Sequence, residues 1–165
     1  MTFTKNLKKI ITLLILVSLH SIATAESSSA SAAKPVDELW LNPGFYSYHF
    51  DADRNLNNNN FGLGLEYRYS PANSITAGRF DNSDRQISTY AGWYWQPFTI
   101  GAVRLGGLIG LMNGYQKANN GDWIPFLLPV ASYEYKRIGI NLTLIPTYQD
   151  VVYGSLTLQL KIKLF

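Results

Sequence analysis

The sequence predicts an all-β fold, an eight-stranded antiparallel up-and-down transmembrane β-barrel. Three observations lead to this prediction. Several segments of about 9–11 residues alternate between apolar and polar side chains, which is typical of tilted membrane-spanning strands. The connections between these segments alternate in length. No apolar run approaches the roughly 20 residues that a spanning helix requires, so any crossing of a membrane must use strands.

Residues 1–25 have the three parts of a secretory signal peptide. Lys5, Lys8 and Lys9 precede an apolar run from Ile10 to Leu19, and the small residues Ala23-Thr24-Ala25 provide a cleavage site. Three of the 14 basic residues lie in this segment, which leaves 11 to balance 11 acidic residues. The mature chain is therefore near neutral, and its charge does not indicate a nucleic-acid partner.

The rest of the chain divides into a leader and one domain. Residues 26–38 (ESSSASAAKPVDE) show no periodicity and predict a flexible leader, and residues 39–165 predict the outer-membrane barrel. The chain has no cysteine, whereas small secreted folds usually need disulfides. Stability is therefore expected from a closed hydrogen-bond network or from burial in lipid.

In the predicted strands apolar and polar side chains alternate, and the alternation is clearest in the second strand and in the last. In the second, an apolar face of five side chains opposes Glu66 and Arg68. In the last, a row from Leu156 to Leu164 opposes Lys161 and Lys163. The eight strands are expected at 39–50, 59–70, 74–80, 86–97, 101–113, 123–135, 138–148 and 151–164.

Alternation alone does not say which face is inside. A soluble, lipocalin-like barrel would have to bury Glu66, Arg68, Lys161 and Lys163 or expose rows of leucine. A membrane barrel instead turns the apolar rows to lipid, and its narrow lumen, which would hold Glu66, Arg68, Arg104 and Lys161, could pair these charges.

Short connections are predicted at Pro71–Asn73, Gln96–Thr99 and Lys136–Arg137, and longer ones at Asp51–Asn58 and Gly114–Asp122. The brief connections Asp81–Arg85 and Tyr148–Asp150 fall at the same end as the longer set. With the amino terminus in the periplasm, that end faces outside.

This topology brings a histidine, a hydroxyl and carboxylates to one rim. His49 ends the first strand, and Asp81-Asn82-Ser83-Asp84-Arg85 joins the third and fourth. Histidine transfers protons near neutral pH, and a serine needs such a base to become a nucleophile. The alternatives are a solvated rim histidine and a turn-forming serine. No metal site and no cofactor are predicted.

An apolar pocket is expected below this rim. Residues 123–131 (WIPFLLPVA) are apolar on both faces, and Tyr94, Leu108 and Met112 have inward parity on their strands. The outer half of the barrel could thus hold a hydrocarbon chain, unless its own side chains plug it.

Prolines within the strands predict a gap in the wall. Pro125, Pro129 and Pro146 cannot donate to the ladder. If Pro129 and Pro146 face each other, a lipid tail could enter sideways between the sixth and seventh strands. Pro43 could act similarly in the first strand, and strand-end kinks are the simpler alternative.

Several short motifs resemble those of the outer-membrane lipid A palmitoyltransferases, the PagP family. LLPVAS followed by LIPTY, within Ile124–Tyr148, is similar to the family's LLPLAS and YIPGTY. FDNS and AGWYW, within Phe80–Trp95, are similar to its FKDS and AGYGW, and His49 matches its strand-ending histidine.

The resemblance implies a barrel that transfers a palmitoyl chain from the sn-1 position of a phospholipid to lipid A in the Gram-negative outer membrane. The family's catalytic histidine and serine correspond to His49 and Ser83. Its aspartate falls on Asn82, so Asp81 or Asp84 would have to supply a carboxylate. Its chamber-floor glycine falls on Tyr94, which implies a shorter acyl chain. Its amino-terminal helix has no counterpart in residues 26–38.

The favoured interpretation is therefore a monomeric phospholipid:lipid A acyltransferase. In it His49 is a base or polarising group, and Ser83 with Asn82 orients the ester or stabilises the oxyanion. Arg54, Arg85 and Lys117 are candidates to bind lipid phosphates. The alternatives are a non-catalytic barrel for adhesion or surface protection, and a lipid A deacylase or phospholipase. Barrel deacylases of known type carry a histidine and a serine close together in one strand, which this sequence lacks.

Overall fold

The computed structural model describes residues 36–148 and 152–165, which form a closed antiparallel barrel. Each strand pairs with its neighbours in sequence, and the last strand pairs with the first. The signal peptide and most of the leader lie outside the described residues. The strands are β1 Glu38–His49, β2 Asn59–Ser70, β3 Asn73–Asp81, β4 Ile87–Ile100, β5 Val103–Met112, β6 Ile124–Tyr135, β7 Ile138–Ile145 and β8 Ser155–Lys163.

The barrel turns its apolar rows outward. On β2 the five aromatic and aliphatic side chains from Phe61 to Tyr69 are exposed, and on β8 so are the leucines and isoleucine from Leu156 to Leu164. Glu66 and Lys161, between them on the same strands, are 1% and 0% exposed. The lipocalin-like alternative is therefore wrong, because the exterior is a leucine-rich surface suited to lipid. Within the described residues, no helix is long and apolar enough to cross a membrane.

Both ends of this apolar surface carry exposed aromatic residues. The end that includes His49 is called the upper rim, and the end that includes Glu38 is called the lower rim. Tyr48, Phe50 and Trp123 lie near the upper rim, and Trp95 and Tyr135 lie near the lower rim. Such girdles are typical of the two membrane–water interfaces around a spanning barrel.

An ionic network fills the lower half of the lumen. Lys161 Nζ lies 3.0 Å from Glu66 Oε2 and 2.6 Å from Glu134 Oε1. Glu134 also pairs with Arg68 and, at 2.6 Å, with Arg104. Of the four charges predicted to pair with one another in the lumen, Glu66 pairs with Lys161, whereas Arg68 and Arg104 pair with Glu134. Glu134, which the sequence pattern did not single out, is the carboxylate that joins three of these cations.

Predicted strand bounds are wrong at two places. β4 continues through Gln96–Thr99 to Ile100, because a bulge between Trp95 and Phe98 accommodates Pro97 without a ladder bond. The turn is formed instead at Gly101, whose φ is +59°. At the upper rim β7 ends at Ile145, directly before Pro146, and β8 begins at Ser155. Both strands therefore stop short of the predicted bounds 138–148 and 151–164 at this rim.

The prolines mark irregular places in the wall. The β6–β7 ladder ends at the pair Val130–Thr143, so residues 124–129 of β6 have no partner on β7. Pro129 and Pro146 do not face each other as predicted, because continuing this register sets Leu144 opposite Pro129. They lie instead on the two sides of the unpaired section, called the β6–β7 gap. Pro43 lies at a bulge of β1, between Asn42 and Gly44. After this bulge β1 pairs again with both of its neighbours, β2 and β8.

Candidate functional site

His49 and Ser83 meet at the upper rim, as the sequence pattern predicts. His49 is the last residue of β1 and is 8% exposed, and its Nε2 lies 2.9 Å from Ser83 Oγ. Its Nδ1 lies 2.8 Å from Asn58 Oδ1. An amide oxygen only accepts, so His49 donates its Nδ1–H to Asn58. The Nε2 lone pair is then free to accept the Ser83 hydroxyl, which is the arrangement of a nucleophile, a base and an orienting group.

The four consecutive asparagines at 57–60 have a role at this site that the sequence pattern does not predict. Asn57 N–H donates to Ser83 O at 2.9 Å, and the Asn57 side-chain amide donates to Asn82 O at 3.2 Å. Asn60, 1% exposed, donates to Asp81 O at 2.7 Å. The run therefore fastens the Ser83 turn to the start of β2, with Asn58 aimed at His49. The only available signal is the run of asparagines itself, which falls across the end of the predicted connection Asp51–Asn58 and the start of the predicted strand 59–70.

The side chain of Asn82, predicted to orient the ester or stabilise the oxyanion, makes its hydrogen bonds within the fold. It is 0% exposed, and its Nδ2 donates to Ser88 Oγ at 3.0 Å and to Gly114 O at 2.9 Å. Its Oδ1 accepts the backbone N–H groups of Asp84 and Gln86, both at 2.9 Å. Both amide hydrogens are thus used within the fold, so Asn82 has none left for a substrate oxyanion.

None of the described hydrogen bonds joins Asp81 or Asp84, the two candidate carboxylates, to His49. The Asp81 side chain is exposed, and the backbone N–H of Asp84 donates to Asn82 Oδ1. Among the described hydrogen bonds, the partner of His49 Nδ1 is the neutral amide of Asn58. An amide in this position fixes the orientation and tautomer of the imidazole without adding a charge.

An apolar cavity of about 90 Å³ runs down the lumen from Ser83. The three residues predicted for an acyl pocket, Tyr94, Leu108 and Met112, all line it. So do the inward residues of the apolar sixth strand, Phe126 and Leu128. Four further lining residues are aromatic and were not predicted: Phe45, Phe80, Tyr90 and Tyr115.

Tyr94 closes the lower end of this cavity. The side chain is 4% exposed, and the amide of Asn141 donates to its hydroxyl at 3.4 Å. Asn141 is held in turn by Ser132 and Gln159. A polar layer thus separates the apolar upper cavity from the ionic network below it.

A second depression lies above Ser83, at the upper rim. This rim pocket, about 320 Å³, contains all three predicted phosphate-binding candidates, Arg54, Arg85 and Lys117, together with Tyr153. Lys117 Nζ donates to the Tyr153 hydroxyl at 2.6 Å, and this hydrogen bond raises the pKa of Lys117. The Arg54 guanidinium lies 4.8 Å from the centre of the same ring.

Ser83 lines both spaces, the apolar cavity and the rim pocket. The β6–β7 gap borders the cavity as well, since Phe126, Leu128 and Ile145 line the cavity next to the unpaired section. No group of three or more histidine, cysteine or acidic residues that could hold a metal ion occurs in the part of the chain that the structure describes.

The sequence is similar to that of a curated protein. The chain is 35% identical over 134 residues to the lipid A acyltransferase PagP of Laribacter hongkongensis (strain HLHK9). The match covers 73% of this chain and 62% of the relative, so the chain spans about three fifths of the length of the curated protein it matches. No protein-family model matches the chain.

Among solved structures, the fold is similar to de novo designed transmembrane β-barrels. One, from a study on the de novo design of transmembrane β-barrels, gives a TM-score of 0.54 at 13% identity and covers 79% of this chain and 98% of the design. The designed TMB2.3, solved by solution NMR, gives 0.52 at 12% identity and covers 82% and 98%. At such low identity these matches support the fold alone.

Proposed function

We propose that this chain, a divergent PagP-like β-barrel, is an outer-membrane acyltransferase that moves a fatty acyl chain from a phospholipid to lipid A. One observation carries the proposal. Ser83, hydrogen-bonded to His49, lies at the junction of an apolar cavity and a cationic rim pocket. An ester with an apolar chain on one side and an anionic headgroup on the other fits this junction.

The hydrogen bonds support His49 as a general base acting on Ser83. In the first half-reaction the Ser83 oxygen attacks the ester carbonyl, and His49 Nε2 takes the hydroxyl proton. The C–O bond to the glycerol then breaks, and His49 returns the proton to the departing lysophospholipid. In the second half-reaction a hydroxyl of lipid A attacks the acyl-serine, and Ser83 recovers its proton through His49.

The donor reaches this junction, in the proposal, through the β6–β7 gap. An unpaired section of wall that borders the apolar cavity lets an acyl chain pass from the bilayer without breaking ladder hydrogen bonds. Ser155 is opposite His49, and Gln159 at the floor lies four positions further along β8, or about 13 Å of strand. A cavity that short, with Tyr94 closing it, favours an acyl chain shorter than an extended palmitoyl group.

The rim pocket is proposed to hold the lipid phosphates. Arg54, Arg85 and Lys117 come from three different loops, so they can surround a phosphate that sits above Ser83. Arginine binds phosphate oxygens in bidentate fashion, which suits headgroups that carry two such oxygens. No cofactor is required by this chemistry, and a single barrel contains every proposed group, so the enzyme is proposed to act as a monomer.

The test is acyl transfer by the purified protein in vesicles that contain lipid A and a phospholipid labelled in its sn-1 chain. The label should appear in lipid A, and Ser83→Ala should lower the rate by at least about 10²-fold, as expected on removing an acid–base-activated group. Ser70→Ala makes the same change at the lower rim and should transfer like the native protein.

The same experiment separates the alternatives. A deacylase or phospholipase would release labelled fatty acid with or without lipid A, and His49 and Ser83 do form the pair that such chemistry needs, although they come from different elements. A non-catalytic barrel would move no label at all. Either result with folded native protein would overturn the proposed transfer.

A further inference from the structure

The connection between β5 and β6 brings a tyrosine hydroxyl to Ser83. Tyr115 and Ser83 line the same apolar cavity, and the side chain and backbone of Ser83 are close enough to the Tyr115 phenol to lower its pKa. Ser83 Oγ thus has two neighbours, the imidazole of His49 and the phenol of Tyr115. One of these can remove a proton, and the other can donate a hydrogen bond.

Backbone hydrogen bonds hold Tyr115 in a tight loop. Its carbonyl accepts the N–H groups of Ala118 at 2.9 Å and Gly121 at 3.1 Å. The preceding residue, Gly114, has φ of +90°, and an added Cβ there would lie 2.4 Å from Ile87 O. Only glycine fits this position, so the chain is forced to turn directly before Tyr115.

Asn82 ties this loop to the turn that carries Ser83. Its Nδ2 donates to Gly114 O at 2.9 Å while its Oδ1 accepts two N–H groups of its own turn. A buried amide with all of its hydrogen bonds made is a rigid connection. Ser83 follows Asn82 in the sequence, and Tyr115 follows Gly114. The position of Ser83 relative to Tyr115 is therefore fixed before any substrate binds.

We propose that Tyr115 is a catalytic residue whose hydroxyl donates a hydrogen bond to the carbonyl oxygen of the acyl ester while Ser83 attacks the carbonyl carbon. This inference rests on the acyl-transfer chemistry proposed above. As the Ser83 oxygen bonds to carbon, the carbonyl π electrons move to oxygen, and the Tyr115 O–H binds that oxyanion without giving up its proton. When the tetrahedral intermediate collapses, the electrons return and the leaving group departs.

The surroundings keep Tyr115 protonated. Burial raises the pKa of its phenol above the ordinary value for tyrosine, and the nearby Asp84 carboxylate raises it further, while contacts with Ser83 lower it. The group is therefore a donor throughout the neutral range. Tyr115 also supplies the donor that Asn82 cannot, because both of the Asn82 amide hydrogens are already bonded.

The test uses a long-chain alkyl fluorophosphonate, which reports on Ser83 without any acceptor lipid. Ser83 oxygen bonds to phosphorus, fluoride leaves, His49 takes the serine proton, and the phosphoryl oxygen occupies the position of the oxyanion. Removing one oxyanion donor slows catalysis by about 10²–10³-fold, so Tyr115→Phe should slow the maximal labelling rate by a factor of this order. The probe concentration at half-maximal rate should not change, whereas a merely structural defect would raise it.

Tyr135→Phe is the matched control, since it removes the same oxygen from an exposed tyrosine near the lower rim, and it should label like the native protein. Ser83→Ala should not label. Heat-modifiable migration in gels establishes that each variant is folded. A 3-fluorotyrosine at position 115 keeps both the shape and the donor, so it should label at least as fast as native protein even if Tyr115→Phe fails to fold.

Equal labelling rates of native protein and Tyr115→Phe would overturn the inference. So would a fluorotyrosine variant that labels as slowly as a folded Tyr115→Phe variant. Native protein that does not label at all would overturn it as well. Labelling that depends on Tyr115, in a protein that transfers no acyl group to lipid A, would uphold the role of Tyr115 and reject the proposed acceptor.

Discussion

A single side-chain amide, that of Asn58, sets the protonation pattern of His49. Because Asn58 accepts from Nδ1, the imidazole presents an unprotonated Nε2 to Ser83. We expect Asn58→Ala to lower acyl transfer by about 10²-fold, since the base loses its orientation. Asn58→Asp should retain transfer, because a carboxylate accepts the same hydrogen bond and stabilises the imidazolium.

Initial rates of transfer in vesicles measure this effect. Asn73→Ala, the same change at the lower rim, provides the control. Equal rates for Asn58→Ala and native protein would show that His49 does not depend on this amide.

Asn82 offers a second test at the residue scale. An aspartate there cannot donate to Gly114 O, and it would turn a carboxylate oxygen towards that buried carbonyl. We expect Asn82→Asp to lower the free energy of unfolding by about 1–3 kcal/mol, the usual cost of an unsatisfied buried group, and to slow transfer by displacing Tyr115.

Urea titration in lipid vesicles, followed by heat-modifiable migration, measures the stability of this variant. Asp81→Asn, the reverse exchange at the exposed neighbouring side chain, should change the free energy of unfolding by less than about 0.5 kcal/mol. An Asn82→Asp variant as stable as native protein would mean that Gly114 is held by other contacts.

At the scale of the element, the β6–β7 gap is the feature with a functional consequence. Pro129 lies one residue beyond the last ladder pair and has no N–H to extend it. Alanine there restores a donor, and a ladder hydrogen bond contributes about 1 kcal/mol, so closing the gap should slow acyl transfer about five-fold. Pro97→Ala, at the bulge of β4, is the matched control and should not change the rate.

Transfer should be measured under conditions where donor access limits the rate, with the donor dilute in the vesicle. A Pro129→Ala variant as fast as native protein would remove the gap from the proposed route of the acyl chain.

The strands also show which parts of the fold can be predicted from sequence patterns. Strict alternation predicted β2 and β8 within a few residues, because lipid-facing and lumen-facing positions are chemically opposite. It missed the end of β4, because the bulge between Trp95 and Phe98 continues the strand through the connection predicted at Gln96–Thr99. His49 and Ser83 were predictable from the rim topology. Asn58 and Tyr115 were not, because no periodicity relates loop residues to the groups they contact.

At the scale of the whole molecule, the lumen is divided into an ionic lower half and an apolar upper half. Lys161, 0% exposed, pairs with Glu66 and Glu134, and removing it leaves buried carboxylates without their cation. Breaking a buried pair in this way costs about 3–5 kcal/mol, so Lys161→Met should destabilise the barrel by that order. Adding Glu66→Gln should recover part of the loss.

Unfolding in urea measures this effect too, with Lys163→Met as the control. Lys163 is a partly exposed lysine at the lower rim, and its ion pair with Glu38 should contribute little. If Lys161→Met were no less stable than Lys163→Met, the lower lumen would have to be hydrated rather than closed by the network.

The central proposal, that this barrel acylates lipid A through His49, is tested most directly by mass spectrometry of lipid A from cells that express the native chain or His49→Ala. The expected result is a mass increase of one acyl group, no larger than palmitoyl, that is present with the native chain and absent with the variant. Unmodified lipid A with a folded native barrel in the outer membrane, or the same increase with His49→Ala, would contradict it.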